Sequence, residues 1–244
     1  MKFHGCGTLI VIALVIASCR AQDTPQLDWS AASTSLLQFW DKDSKPVGVP
    51  APNGKLTLRV AGKGTGSMYP ENEMIPDYFL EKAGRRLQPA IRLYASPFAL
   101  WSTNSDLLAI TSSDGGAVGS WKVYVYSVEG DAVVEHNVMR RVQEDLARAF
   151  PAGINPPGYS FFSGRDREQF ASDSSWVNVF AVRWIENPER LLILASVPPS
   201  SGYGANMGQR RGYVVEPITG RILHRCTETE FTNRDSVCAI KSTK

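Results

Sequence analysis

The sequence predicts a mainly β fold with some helix, an α+β chain. Two repeated four-stranded antiparallel meanders, each followed by a helix, would pack as stacked sheets or as a partial propeller. Three observations predict it. From residue 55 onward apolar residues mostly alternate with polar ones, which is the strand pattern. A stretch with the same order of features occurs twice, at about 98–150 and 180–240. Each copy ends in a segment with helical features.

Each copy of the repeat has the same order of segments. An apolar strand ends near Trp101 or Trp184, a polar turn follows, and a buried strand reads LLAIT or LLILASV. A Gly-rich loop containing two serines, a long strand, a tight turn at Gly130 or Gly220 and a last strand complete the unit. One copy could not bury its apolar face alone, so the two should pack together. The alternative is a chance resemblance between short hairpins.

The helix expected after the first copy has its apolar side chains at spacings of three and four, on one face. They are Val138, Val142, Leu146 and Ala149. Asn137 is a candidate N-cap and Pro151 a stop signal. After the second copy, Thr227 and Glu230 have the spacing of a capping box, which predicts a short helix there.

The first 18 residues have the features of a signal peptide. Lys2 precedes a ten-residue apolar core, Thr8 to Ala17, and small residues follow it. This core is too short for a membrane-spanning helix, which takes roughly 20 residues. The alternative interpretation is a buried first strand of the fold.

The residues Ile16-Ala17-Ser18-Cys19 at the end of this leader resemble the lipobox of bacterial lipoproteins. The resemblance implies a diacylglyceryl group on the Cys19 sulfur, cleavage just before that residue, and a membrane partner through the lipid anchor. Several acyl chains give lasting attachment, at about 0.8 kcal/mol for each buried methylene. Arg20 resembles the signal of lipoproteins directed to the outer membrane, facing the periplasm. The alternative is ordinary cleavage after Ala21, which would discard Cys19.

The remaining cysteines predict a disulfide. Cys6 leaves with the leader, so a lipidated Cys19 leaves only Cys226 and Cys238, with eleven residues between them. An even cysteine count in an exported chain is typical of a disulfide, and closing this loop stabilises by roughly 3 kcal/mol. Two free thiols, or a metal site with the neighbouring His224, are the alternatives.

The composition divides the chain into a tether and a β-rich body. Residues 19–54 are rich in Ser, Pro, Asp and Gln and have irregular apolar spacing, which predicts a lipidated N-terminus and an extended tether. Residues 55–244 are expected to form a single β-rich domain. Charged residues make up 20% of the chain and the formal net charge is +2, so nucleic acid is not an expected partner.

No catalytic, metal or cofactor motif is found in the sequence. It has no GxSxG elbow, no HExxH, no CxxC and no phosphate-binding loop, so no cofactor and no metal are expected. His136 and His224 occupy matching ends of the two copies and are interpreted as structural. The enzymatic alternative is a pair of carboxylates acting on a sugar bond, since the pairing of carboxylates in space cannot be read from a sequence.

A loop between two strands is the candidate binding surface. The glycine-rich stretch Pro198 to Gly212 contains residue types that are enriched at protein interfaces. These are Tyr203, Met207, Arg210 and Arg211. The sequence therefore predicts a protein partner at this loop. The alternative is an ordinary solvated loop.

The plan of the chain resembles the immunity or inhibitor lipoproteins of Gram-negative bacteria, which block incoming toxins or lytic enzymes. The resemblance lies in the lipobox at Cys19, the modest size, the β-rich body and the lack of a catalytic motif. It implies a membrane-tethered protein that faces the periplasm, binds another protein and is not an enzyme. The alternatives are an envelope assembly or scaffold lipoprotein, and an enzyme acting on cell-wall or other carbohydrate substrates.

Overall fold

A computed structural model describes residues 27–36, 46–61, 77–91, 93, 97–113, 121–150, 176–187, 189–199 and 201–240. In these ranges the chain forms three open antiparallel sheets and few helices, so the prediction of a mainly β chain is confirmed. The leader and the lipobox with Cys19 lie outside the described residues.

The first sheet has the order β2-β3-β4-β5. Its strands are β2 (Val47–Pro50), β3 (Leu56–Ala61), β4 (Asp77–Lys82) and β5 (Arg85–Arg86). Residues of β3 alternate between buried and half-buried along its whole length, because one face of the sheet lies on the core and the other faces outward.

The middle sheet has the order β1-β6-β7-β8-β9. Its strands are β1 (Thr34–Ser35), β6 (Phe98–Trp101), β7 (Leu107–Ser113), β8 (Trp121–Glu129) and β9 (Ala132–His136). The short β1 pairs with β6, which makes this a five-stranded sheet. Both β1 and β2 fall within residues 19–54, which the composition had suggested as a tether.

The last sheet has the order β10-β11-β12-β13. Its strands are β10 (Asn178–Ile185), β11 (Arg190–Ser196), β12 (Arg210–Val215) and β13 (Ile222–Cys226). Helix α1 (Arg140–Ala149) precedes this sheet, a 3₁₀ helix (Ser201–Asn206) lies between β11 and β12, and helix α2 (Glu228–Thr232) follows β13. Met139 is the N-cap of α1, although Asn137 Oδ1 accepts a hydrogen bond from the Arg140 N–H.

The main core lies between the middle sheet, the last sheet and α1. Val142 and Leu146 of α1 are fully buried against it, as the helical spacing predicts, whereas Ala149, expected on the same face, is exposed at the end of the helix. The inner faces of the two sheets supply the other large members: Leu100, Val123, Val125, Trp184, Ile193 and Tyr213. The middle and last sheets therefore pack face to face.

The other face of the middle sheet packs on the first sheet. This second core contains Leu58 and Tyr78 from the first sheet, and Leu108, Ile110 and Tyr126 from the middle one. Because both faces of the middle sheet are covered, every residue of β7 is buried. This burial explains the continuous apolar run LLAI, which does not alternate.

Two tryptophans connect successive sheets through hydrogen bonds. The Trp101 Nε1–H in β6 donates to the Val49 carbonyl in β2 at 3.1 Å. The Trp184 Nε1–H in β10 donates to the Leu100 carbonyl in β6 at 3.0 Å. An indole N–H that is taken out of water needs a partner, so these bonds fix how each sheet sits on the one before it.

The turns after β2, β6 and β10 also contact one another. The Asn53 N–H donates to Ser105 Oγ at 2.9 Å, which joins the first sheet to the middle sheet. Asn104 Nδ2 donates to Glu189 Oε2 at 2.9 Å, which joins the middle sheet to the last. Gly54 and Ser105 both have left-handed backbones, with φ of +69° and +68°.

Candidate functional site at the disulfide-tied end

Two segments from opposite ends of the chain cover the outer face of the last sheet. Leu27 and the half-buried Trp29 come from the N-terminal side, and Phe231 and Ile240 from the C-terminal side. They pack on Phe180, Val182, Leu192, Leu194 and Val214 of the sheet. We refer to residues 27–33 and 227–240 together as the terminal cap.

The predicted cysteine pair holds the C-terminal part of the terminal cap. Cys226 ends β13 and Cys238 follows α2, with the sulfurs 2.01 Å apart and the Cα atoms 5.8 Å apart. The prediction that these two residues lie at disulfide distance is confirmed. A Cβ at Gly212, which pairs with Cys226, would lie 2.6 Å from Phe231 Cε1 and 2.9 Å from Cys226 Cβ. The terminal cap therefore needs glycine at this position of β12.

An exposed polar cluster lies beside the disulfide. His224 Nε2 is 3.0 Å from Glu230 Oε1. Glu230 Oε2 accepts hydrogen bonds from the Thr227 backbone N–H at 2.7 Å and from its hydroxyl at 2.8 Å. The capping pattern that the sequence indicates is thus present at the start of α2. The Thr227 N–H is the main cause that lowers the pKa of Glu230, to about 2.

This cluster contains a possible set of metal ligands. One donor atom each from His224, Cys226 and Cys238 lies within 4.8 Å of the other two. The two thiols are bonded to each other in the disulfide, so only the imidazole is a free donor in the oxidised chain.

A groove of about 780 Å³ opens between the two segments of the terminal cap. Val182, Phe231 and Ile240 give it an apolar floor, while Asp28, Arg183 and Arg234 lie along it. Arg183 Nη2 donates to the Val237 carbonyl at 2.7 Å and Nε donates to the Ala239 carbonyl at 3.4 Å. Partial burial lowers the pKa of Arg183. Arg183 thereby anchors the C-terminal segment to β10.

The four residues of the predicted binding loop differ in their exposure and in their partners. Tyr203 is only 6% exposed, and its ring stacks on Trp176 with the centroids 5.2 Å apart. Arg210 lies 3.6 Å from Glu228, and Arg211 lies 3.4 Å from Asp145 and over the ring of Phe150. Met207, at 48% exposed, is the member that faces solvent. Tyr203 thus differs from the exposed contact that was expected, because an aromatic residue that suits an interface suits a core equally well.

Asp145 of α1 binds three residues of the last sheet. Its carboxylate accepts hydrogen bonds from Arg225 Nη2 at 2.7 Å and from the Tyr213 hydroxyl at 3.1 Å, and Arg211 is the third partner. The hydrogen bond from Arg225 is the main cause that lowers the pKa of Asp145, while partial burial acts in the opposite direction. The arrangement joins α1 to the sheet.

His136, the other histidine of the body, shares a hydrogen bond with Ser127 Oγ at 2.8 Å.

A cluster of four aromatic rings, which the sequence did not indicate, holds the N-terminal segment. The Trp29 ring centroid lies 5.0 Å from Phe98, 5.4 Å from Trp121 and 4.8 Å from Phe180. These three rings come from the middle and last sheets. The contact therefore fixes the start of the described chain against both sheets.

No family model, curated protein or solved structure matches the chain. None of the helices in the described ranges has the length and apolar character needed to cross a bilayer.

Proposed function

We propose that this protein is a lipid-anchored lipoprotein, held in the outer membrane and facing the periplasm, that binds another protein through the groove of the terminal cap. The observation that carries the proposal is the groove itself, which has an apolar floor and charged sides. Protein interfaces combine an apolar centre with a polar rim in the same way. In this proposal the protein acts as an immunity protein or inhibitor of a toxin or lytic enzyme and has no catalytic role.

The position of the N-terminal segment supports a role close to the membrane. Leu27 lies only eight residues after Cys19, so the connection between them spans at most about 28 Å. Leu27 packs in the same cluster as Phe231 and Ile240, which line the groove. A lipid on Cys19 would therefore hold the groove near the bilayer surface.

The lining of the groove favours one kind of partner segment. Arg183 and Arg234 provide two positive groups against the single carboxylate of Asp28. Arg183 already binds two carbonyl groups of the C-terminal segment, which leaves Arg234, at an exposed position, as the main charge for recognition. An apolar side chain flanked by an acidic one would complement both the floor and this arginine.

We also propose that the middle and last sheets are copies of one meander-and-helix unit. The matched indole hydrogen bonds of Trp101 and Trp184 support this, since Trp101 donates to β2 of the preceding sheet and Trp184 donates to β6 of the preceding sheet. The matched turn contacts of Asn53 and Asn104 support it as well. The short β1 is an addition to the middle copy.

Two measurements test the proposal. Radiolabelled palmitate should enter the wild-type chain and not a Cys19→Ala variant, and equal labelling of both would contradict the anchor. Partners captured from the envelope by the full chain should be lost on Arg234→Glu and kept on Arg141→Glu. The second variant makes the same charge change at an exposed position of α1.

The identity of the captured protein separates the alternatives. A secreted toxin or lytic enzyme supports the immunity or inhibitor role, whereas a set of envelope assembly proteins supports a scaffold. If Arg234→Glu and the wild type retain the same proteins, the groove is not the binding surface.

A further inference from the structure

We propose that, when the Cys226–Cys238 disulfide is reduced, the two cysteines and His224 bind one zinc ion. His224 and Cys226 are two residues apart on β13, so their side chains lie on the same face of the strand. Helix α2 and the chain after it bring Cys238 to that face. The potential site thus draws its ligands from β13 and from the C-terminal segment.

The distances fit a zinc site. The ligand atoms of the three residues all lie within 4.8 Å of one another. In tetrahedral zinc with bonds of 2.0 to 2.3 Å, ligand atoms lie about 3.3 to 3.8 Å apart. A small movement of the side chains therefore suffices to bring three ligands to one ion. A water molecule would take the fourth position.

Glu230 acts in this site as a positioning residue. A histidine that binds a metal generally gives its other ring N–H to a carboxylate, which fixes the orientation of the ring. Glu230 Oε1 lies 3.0 Å from His224 Nε2 and can accept that hydrogen bond, which leaves Nδ1 for the metal. The two hydrogen bonds from Thr227 hold the carboxylate itself in place.

The disulfide is reduced by thiol–disulfide exchange. A dithiol reductant gives two electrons and two protons to the disulfide and becomes a disulfide itself, which leaves thiols on Cys226 and Cys238. Zinc binding then releases both thiol protons, because the ligands are thiolates. The reverse step needs a disulfide as oxidant: it takes two electrons from the two thiolates and two protons from water and becomes a dithiol, while the sulfurs of Cys226 and Cys238 join again and expel the ion. The side chain of His224 is 48% exposed and gives the ion a route from solvent.

The test uses the full chain with Cys6→Ala and Cys19→Ala, which removes the other thiols. Zinc affinity is measured by competition with a chromophoric chelator, and cobalt(II) absorption reports thiolate ligands. The reduced chain should bind one zinc ion and the oxidised chain none.

Glu230→Gln should weaken zinc binding by the reduced chain by roughly 10- to 100-fold, and His224→Ala should weaken it by at least as much. Because Gln can replace Glu in a capping box, the melting temperature of oxidised Glu230→Gln should fall little, so that its weaker zinc binding reports the lost carboxylate and not the loss of α2. His136→Ala, which changes a histidine of β9 that is not in the ligand set, should bind zinc like the parent chain.

Several results would overturn the proposal. These are a reduced chain that takes up no zinc, or a His224→Ala variant with unchanged affinity and cobalt spectrum. If reduction unfolds the chain, zinc should restore the circular dichroism of the oxidised form, and failure to do so would also reject the site.

Discussion

The two outer faces of the stack of sheets are covered in opposite ways. On the first sheet, charged side chains of neighbouring strands form the cover: Arg59 pairs with Glu81 at 2.8 Å, and Arg86 pairs with Asp77 at 2.6 Å. The Arg86 guanidinium also lies 4.4 Å from the centre of the Phe79 ring. On the last sheet, the terminal cap forms the cover, with apolar residues and a disulfide.

The comparison shows two ways in which the outer face of a terminal sheet is kept from pairing with another molecule. Charged side chains on that face discourage such pairing, and they require only the residues of the strands themselves. The terminal cap instead needs segments from both ends of the chain to meet on β10 and β12. The first end should therefore tolerate substitution, whereas the second should depend on a few buried contacts.

The largest expected difference comes from a matched pair of phenylalanines. Phe231 is 2% exposed and packs on Cys226, so Phe231→Ala should lower the free energy of unfolding by about 4 kcal/mol. Phe79 is also only 6% exposed, but it lies outside the three apolar clusters of the described residues and has the Arg86 guanidinium over its ring. Phe79→Ala should cost about 2 kcal/mol, which is the transfer of the side chain alone. Urea denaturation of both variants checks this, and equal losses would refute the contrast.

Loss of the disulfide should have the next largest effect. Replacing Cys226 and Cys238 by Ala together should lower the free energy of unfolding by roughly 3 kcal/mol, because the open loop gains entropy in the unfolded chain. Thermal or urea unfolding measures the loss. As a control, a dithiol should destabilise the wild type by a similar amount and leave the double variant unchanged. A wild type that is indifferent to the dithiol would show that the terminal cap does not need the bond.

Part of this comparison could be predicted from the sequence. Alternation in KLTLRV predicts β3 with a polar outer face, and the cysteine count predicts the covalent link. The two-residue β1 and the docking of Trp29 could not be predicted, since their stabilising partners are far along the chain. The burial of Tyr203 could not be predicted for the same reason, because it depends on a stacking contact with Trp176.

Asp145 provides a test that depends on pH. Its pKa is lowered in the folded chain, so its contribution to stability is present above the pKa of an unfolded aspartate, near 4, and is lost as pH falls through the folded value. Asp145→Asn should cost about 1 to 2 kcal/mol at pH 7, since the carboxylate is 11% exposed and bound to Arg225 and Tyr213.

The pH profile separates this role from simple packing. Urea denaturation at a series of pH values below 7 should show that the gap between wild type and Asp145→Asn narrows as pH falls through the folded pKa of Asp145, because the wild-type carboxyl then also becomes neutral. A gap of constant size would mean that the charge of Asp145 contributes nothing. Glu144→Gln is the control, since its exposed pair with Arg140 lies within one helix turn and contributes little.

The ion pairs of the first sheet should give the smallest effect. Arg59 and Glu81 are partly exposed, so Glu81→Gln should lower the free energy of unfolding by at most about 1 kcal/mol, and less in high salt. Their larger role is to keep the face charged, so replacing both residues by Val should leave the monomer folded and cause it to associate. Analytical ultracentrifugation measures this association, with the conservative Glu81→Gln variant as the monomeric control. A monomeric double-Val variant would mean that charge does not protect this end, and the contrast between the two faces would then rest on stability alone.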